Sequence, residues 1–152
     1  MNPSRRRMLR SAAGLGASMA VGVVSRPAFA TPEELIAAMA RFAGGAPVQA
    51  GRVLLDVAPL VENGNTVPIT IEVQSPMTAA DHVQAVAVFN ELNPQRDVVV
   101  FRLGPRAGRA KVSTRIRLAT TQQLVAVAQM SDGTFWSHAV DVIVTLAACA
   151  EA

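Results

Sequence analysis

The chain has one cysteine, no tyrosine, one tryptophan and two histidines in 152 residues. A single cysteine cannot close a disulfide within the chain, so its thiol is either free or paired with another molecule. His82 and His138 lie far apart, and with no second cysteine to join them the sequence offers no zinc or copper site. Glycine-rich phosphate loops and dinucleotide fingerprints are missing too, so no cofactor is expected. No basic stretch is interleaved with aromatics, which argues against nucleic-acid binding. The longest apolar run, Ala12 to Val24, is thirteen residues broken by Gly14, Gly16, Ser18 and Gly22. That is short of the roughly 20 residues that span a bilayer, so no membrane anchor is expected.

What is present begins with an address. Arg5, Arg6, Arg7 and Arg10 precede the apolar segment Ala17-Ser-Met-Ala-Val-Gly-Val-Val24, and small residues close it at Ala28-Phe-Ala30. This is the layout of an export signal. Ser4-Arg-Arg-Arg-Met-Leu-Arg10 resembles a twin-arginine signal, read by a receptor, so residues 1–30 are expected to direct the protein to the periplasm and to be cleaved after Ala30. Cleavage changes the charge. Five of the fourteen Lys and Arg leave and all eleven acids stay, so a sequence pI of 10.4 gives way to a mature chain of net charge −2. Arg102, Arg106, Arg109, Lys111, Arg115 and Arg117 still cluster, as a solvated face or, alternatively, a docking surface.

The mature chain from Thr31 is one domain's worth of residues. Thr31-Pro-Glu-Glu opens a helix, with Thr at the N-cap, Pro at the first helical position and acids in the first turn; Leu35, Met39 and Phe42 follow at helical spacing until Gly44-Gly45. Beyond that the apolar period becomes two. Seven strands are expected, at Arg52–Val57, Thr66–Gln74, His82–Phe89, Asp97–Leu103, Lys111–Ala119, Leu124–Met130 and Thr134–Leu146. Turns at Asn63-Gly-Asn65 and Ser131-Asp-Gly133 separate them. The pattern predicts an all-β protein, an antiparallel immunoglobulin-like β-sandwich with a short N-terminal helix over residues 31–146, with a Greek-key barrel as the competing fold. A valine-rich sheet face with few charges predicts cover by a partner chain.

The chemistry concentrates at the C-terminal end. Val140, Val142, Val144 and Leu146 alternate with Asp141, Ile143 and Thr145, as in a strand with one face inward. After Leu146 the side chains become small, and residues 147–152 read as an arm carrying Cys149. A core cysteine acts as a small hydrophobe, but this one lies beyond the last residue of apolar bulk. Cys–His catalysis needs a base within about 3 Å. His138, eleven residues upstream, is roughly 36 Å away along an extended strand. No catalytic residue is assigned. Cys149 reads as a handle for a covalent load, the alternative being a binding or assembly subunit whose cysteine forms an interchain disulfide.

Thr31-Pro-Glu-Glu-Leu35, Leu60-Val-Glu-Asn-Gly-Asn-Thr-Val-Pro-Ile69 and Val142-Ile-Val-Thr-Leu-Ala-Ala-Cys149, behind a twin-arginine signal, resemble the sulfur carrier family SoxY of the thiosulfate-oxidising system. The resemblance covers nearly the whole mature chain. It implies a periplasmic immunoglobulin-like domain that is not itself an enzyme and is paired with a SoxZ-like subunit. It also implies that Cys149 is the site of covalent sulfur attachment, loaded by a haem-containing thiosulfate-conjugating enzyme and unloaded by a metal-dependent, sulfate-releasing hydrolase. One departure is plain. Where the family ends in glycines around its cysteine, this chain reads Ala147-Ala-Cys-Ala-Glu-Ala152, which gives the backbone less freedom.

The arm's charges lead to a prediction. Glu151 stands two residues from Cys149, and no Lys, Arg or His is nearer in sequence than His138. A neighbouring carboxylate disfavours the thiolate, weakly in water and more weakly in salt. Alkylation of the free protein should be slow at pH 7, quicken modestly in Glu151→Gln and respond to salt. An alkylation midpoint at or below about pH 7.5, a full unit under the free-cysteine value of about 8.5, would overturn the argument.

Overall fold

The computed structural model describes residues 32–146. The expected N-cap Thr31, the export signal at 1–30 and the arm at 147–152 lie outside the described residues. Helix α1 (Pro32–Phe42) carries Glu33 and Glu34 in its first turn, where acids meet the helix dipole favourably. It ends in a Schellman arrangement. The N–H of Gly45 bonds the carbonyl of Ala40 at 3.0 Å and that of Gly44 bonds Arg41 at 3.2 Å, with both glycines at positive φ.

Nine strands follow: β1 (Val48–Ala50), β2 (Val53–Asp56), β3 (Leu60–Asn63), β4 (Val67–Val73), β5 (Val83–Asn90), β6 (Asp97–Arg102), β7 (Lys111–Ile116), β8 (Gln122–Met130) and β9 (Phe135–Leu146). They build two sheets. The larger runs β1-β9-β8-β5-β6, with β3 also on β9, and the smaller runs β2-β4-β7. The seven expected strands are present with shifts of up to three residues at their ends, and the fold is the expected two-sheet sandwich. The expectation of a wholly antiparallel sandwich needs correction. β1 and β3 are additional, and both pair parallel to β9. They are three and four residues long, too short to show a period of their own.

Why β1 and β3 share one edge of β9 is decided at Gly51-Arg52. The N–H of Gly51 still bonds Ser137 on β9, at 3.1 Å, whereas the carbonyl of Arg52 already accepts the N–H of Gln74 beyond β4, at 2.7 Å. The chain changes sheets in two residues. Both have positive φ, 119° at Gly51 and 56° at Arg52. For arginine this is a strained conformation, tolerated only where the surroundings hold it. Three contacts do: Nε donates to the carbonyl of Gln74 at 3.2 Å, the guanidinium pairs with Asp81 at 3.6 Å, and it lies over the Trp136 ring, 5.7 Å from the centroid.

The core has two parts. Between the sheets pack Val53, Leu55, Val67, Ile69, Ile71, Val86, Val88, Leu118, Leu124 and their neighbours. On the outer face of the larger sheet, α1 covers Ala87, Phe89, Val125, Val127 and Phe135 with Leu35, Ala38 and Phe42. Phe42 meets Phe89 and Phe135 edge-on, each at 5.9 Å between centroids. β5 and β8 are therefore buried on both faces, which is why Val86-Ala-Val-Phe89 reads as a continuous apolar run. Arg96 bonds Glu34 of α1 and the carbonyl of Asn93, fastening the helix to the loop between β5 and β6.

At the β8–β9 turn, Gly133 adopts φ 81° and Asp132 accepts the side-chain and backbone bonds of Thr134, at 2.7 and 2.9 Å. Those bonds hold the Asp132 carboxyl below its ordinary pKa of 3.8.

The sheet switch yields a prediction. A Cβ on Gly51 would lie 3.6 Å from the Trp136 ring, in ordinary contact, so the cost of Gly51→Ala comes from φ rather than from space. Urea denaturation should show a loss of about 1–2 kcal/mol, the penalty of an L-residue in left-handed backbone. A variant as stable as the parent would mean the switch relaxes freely.

Candidate functional site

Cys149 lies outside the described residues, so the site is built from the point where the described chain ends, Leu146. Up to that residue β9 is held on both edges. β8 pairs with it as far as Val142, and beyond that the Thr121 hydroxyl takes over, accepting the N–H of Val144 at 3.0 Å. On the other edge, β3 sets Leu60 beside Ile143, Val61 beside Val144 and Asn63 beside Leu146. Glu62 accepts the Thr145 hydroxyl at 3.3 Å, and Pro59 accepts the N–H of Ile143 at 2.8 Å.

The contact at the end of β9 comes from the Asn63-Gly64-Asn65 turn. Asn63 Oδ1 accepts the N–H of Asn65 at 2.9 Å, closing the turn. Gly64 then donates its N–H to the carbonyl of Leu146 at 2.9 Å and accepts the N–H of Leu118 at 2.8 Å. One turn thus ties the end of β9 to the segment after β7. Residue 149 follows Leu146 by three positions, so a fully extended chain carries it at most about 10–11 Å from this anchor. Leu146 itself is 68% exposed, where the alternation predicted an inward side chain, because it has passed the end of the sandwich. With Leu60 and Ile143, 57% and 54% exposed, it leaves apolar surface beside the exit point.

Neither histidine is near that point. His138 stands in the stretch of β9's edge between β1 and β3, where its Nδ1 accepts the N–H of Leu55 at 3.0 Å. That bond requires an unprotonated Nδ1 and joins β2 to β9. His82 is at the opposite end of β9: its N–H bonds Ser131 Oγ at 3.0 Å, and its Nδ1 lies 3.0 Å from the Thr78 carbonyl. Both are structural residues. Among the described residues no group of three or more His, Cys, Asp or Glu could hold a metal, and no helix is long and apolar enough to cross a membrane.

Family comparison matches residues 39–149 to the family described as sulfur oxidation protein SoxY. The chain belongs to the SoxY family. The solved structure of the sulfur carrier protein SoxY from Chlorobium limicola f thiosulfatophilum is similar over 75% of this chain and 98% of that one, with 29% identity and a TM-score of 0.64. Superoxide reductase (neelaredoxin) from Ignicoccus hospitalis, at 14% identity and TM-score 0.55 over 60% and 78% of the two chains, shares the fold alone. The same holds for a putative superoxide reductase from Thermotoga maritima, at 17% and 0.54 over 64% and 87%. No curated protein matches the sequence.

The stretch Val61–Pro68, noted in the sequence for its resemblance to SoxY, now has a physical role: it forms the anchor under Leu146. Thr121 and Leu118 complete that anchor and were not singled out from the sequence, because a hydroxyl replacing a ladder partner leaves no periodic signal. Thr121→Val removes the acceptor for the Val144 N–H. Hydrogen exchange at residues 143–146 should accelerate severalfold while global stability falls by about 1 kcal/mol, the worth of one hydrogen bond. Unchanged exchange there would show that β3 alone holds the end of β9.

Proposed function

We propose that this protein is a covalent carrier of sulfur intermediates, with Cys149 as the attachment point. The observation that carries this reading is the SoxY family match, which runs through residue 149, three positions past an anchored strand end. A carrier needs a reactive atom on a short segment leaving a rigid body, with no base, metal or oxyanion site of its own. The protein is then the covalent substrate of partner enzymes rather than a catalyst.

Loading joins Cys149 Sγ to the outer sulfur of thiosulfate. The thiol gives its proton to solvent, an S–S bond forms, and the two electrons released pass to the haem-containing conjugating enzyme. The metal-dependent hydrolase then adds water at the terminal sulfonate sulfur, releasing sulfate and protons and leaving a persulfide on Cys149. A SoxZ-like subunit accompanies the carrier. Export by the signal at Met1–Ala30, with cleavage after Ala30, would place these steps in the periplasm.

Intact mass of the exported protein, purified without reductant from cells oxidising thiosulfate, tests the reading. Adducts of sulfur atoms or a thiosulfonate group on Cys149 support it; a disulfide-linked dimer with no other adduct favours an assembly subunit instead. Cys149→Ser should abolish every adduct and leave the melting temperature within about 1 °C, since it exchanges one small side chain for another in a segment with no bulky apolar residue after Leu146. A drop of several degrees would place the cysteine in the core.

A further inference from the structure

β6 and β7 end their respective sheets, and each leaves one edge without a strand partner among the described residues. They lie on the same side of the sandwich. β2, at the other end of the smaller sheet, packs over β9 and β8, so β7 falls toward β6, and the two strands are joined by residues 103–110. The side chains that β6 and β7 turn inward are incompletely covered: Val99, Phe101 and Val112 pack against the core but are only partly buried. An apolar seam therefore opens between two free edges.

Charge is gathered around that seam. Six of the nine Lys and Arg between residues 32 and 146 lie at positions 102–117, and from 98 to 131 there is no Asp or Glu. Lys111 is neutralised by Glu72 at 3.2 Å. Arg102, Arg106, Arg109, Arg115 and Arg117 are all exposed and have no carboxylate of the described residues within 4.0 Å. Arg115 stands on the outward face of β7 and Arg117 follows its last residue, Arg102 ends β6, and the other two occupy the connecting loop.

We infer that the β7 edge takes up an extended segment of a partner protein in which acidic and apolar residues alternate. Such a segment adds a strand to the smaller sheet through main-chain hydrogen bonds. Its apolar side chains cover Val112 and Phe101, and its carboxylates meet Arg115 and Arg117. A segment with charges alone would leave the seam open, and one with apolar residues alone would leave the arginines unpaired. Cationic side chains on an edge also discourage self-pairing, so the experiment must separate a docking edge from a guarded one. The inference stands independently of the carrier reading.

The probe is a fluorescein-labelled octapeptide of alternating Val and Glu, titrated into the protein without its export signal and followed by anisotropy. Controls replace Glu with Ser or Lys; polyglutamate and phosphatidylglycerol vesicles are tested beside them. Binding by the Val-Glu peptide alone, weakened by salt, is expected. So are slowed amide exchange at residues 111–116 and a Kd at least tenfold higher in Arg115→Glu/Arg117→Glu. Arg115→Ser/Arg117→Ser serves as the second variant, with a smaller rise, should charge reversal disturb folding. Equal binding of polyglutamate without β7 protection means diffuse attraction and overturns the proposal. Vesicle binding without peptide binding overturns it in favour of a membrane surface. Self-association of the variants with no change in peptide affinity overturns it in favour of an edge guard.

Discussion

Strand β9 is paired on both edges, and its second edge is filled by two short pieces instead of one strand. β1 takes its first three residues and β3 its last four. Between them the chain leaves for the other sheet and returns, and His138 bridges the interval through Leu55. The strained pair Gly51-Arg52 follows from this arrangement, because a two-residue transfer between sheets cannot be made with ordinary backbone angles. So does the anchor at Leu146. β3 must run parallel to β9 to reach its end, and the Asn63-Gly64-Asn65 turn is what lies there when it does.

That anchor gives the family resemblance a mechanical meaning. Under the proposed carrier reading, a cysteine three residues past this anchor stands at most about 10–11 Å from it, so the carrier would present its own surface to each enzyme it visits. Holding the strand through its last carbonyl keeps the approach geometry reproducible. In sequence, Ala147, Ala148 and Ala150 stand around Cys149, and alanine allows fewer backbone conformations than glycine.

Charge is distributed with equal economy. Five cations without a salt bridge to the described residues, Arg102, Arg106, Arg109, Arg115 and Arg117, gather along one open side, while Arg52 and Arg96 are spent on the sheet switch and the helix fastening. The last two strengthen contacts between elements far apart in sequence, Arg96 with Glu34 and Arg52 with Asp81. The exposed arginines of β6, β7 and their loop make no such contact within the described residues.

Seven strands, the helix with its glycine stop and both turns were legible in the sequence, as was the inward alternation of β9 from Val140 to Val144. Burial on one face imposes a period that four or more residues can display. The position of Cys149 beyond the last bulky apolar residue was legible for the same reason. β1 and β3 were not, since three or four residues held by a parallel partner more than eighty positions away carry no local pattern. The sequence alone determined where apolar alternation runs and where the lone cysteine sits in the chain. Only the tertiary structure decided that a helix covers the outer face of the larger sheet, that His138 is a bridge and that Thr121 replaces a strand, because each depends on which distant groups packing brings into reach.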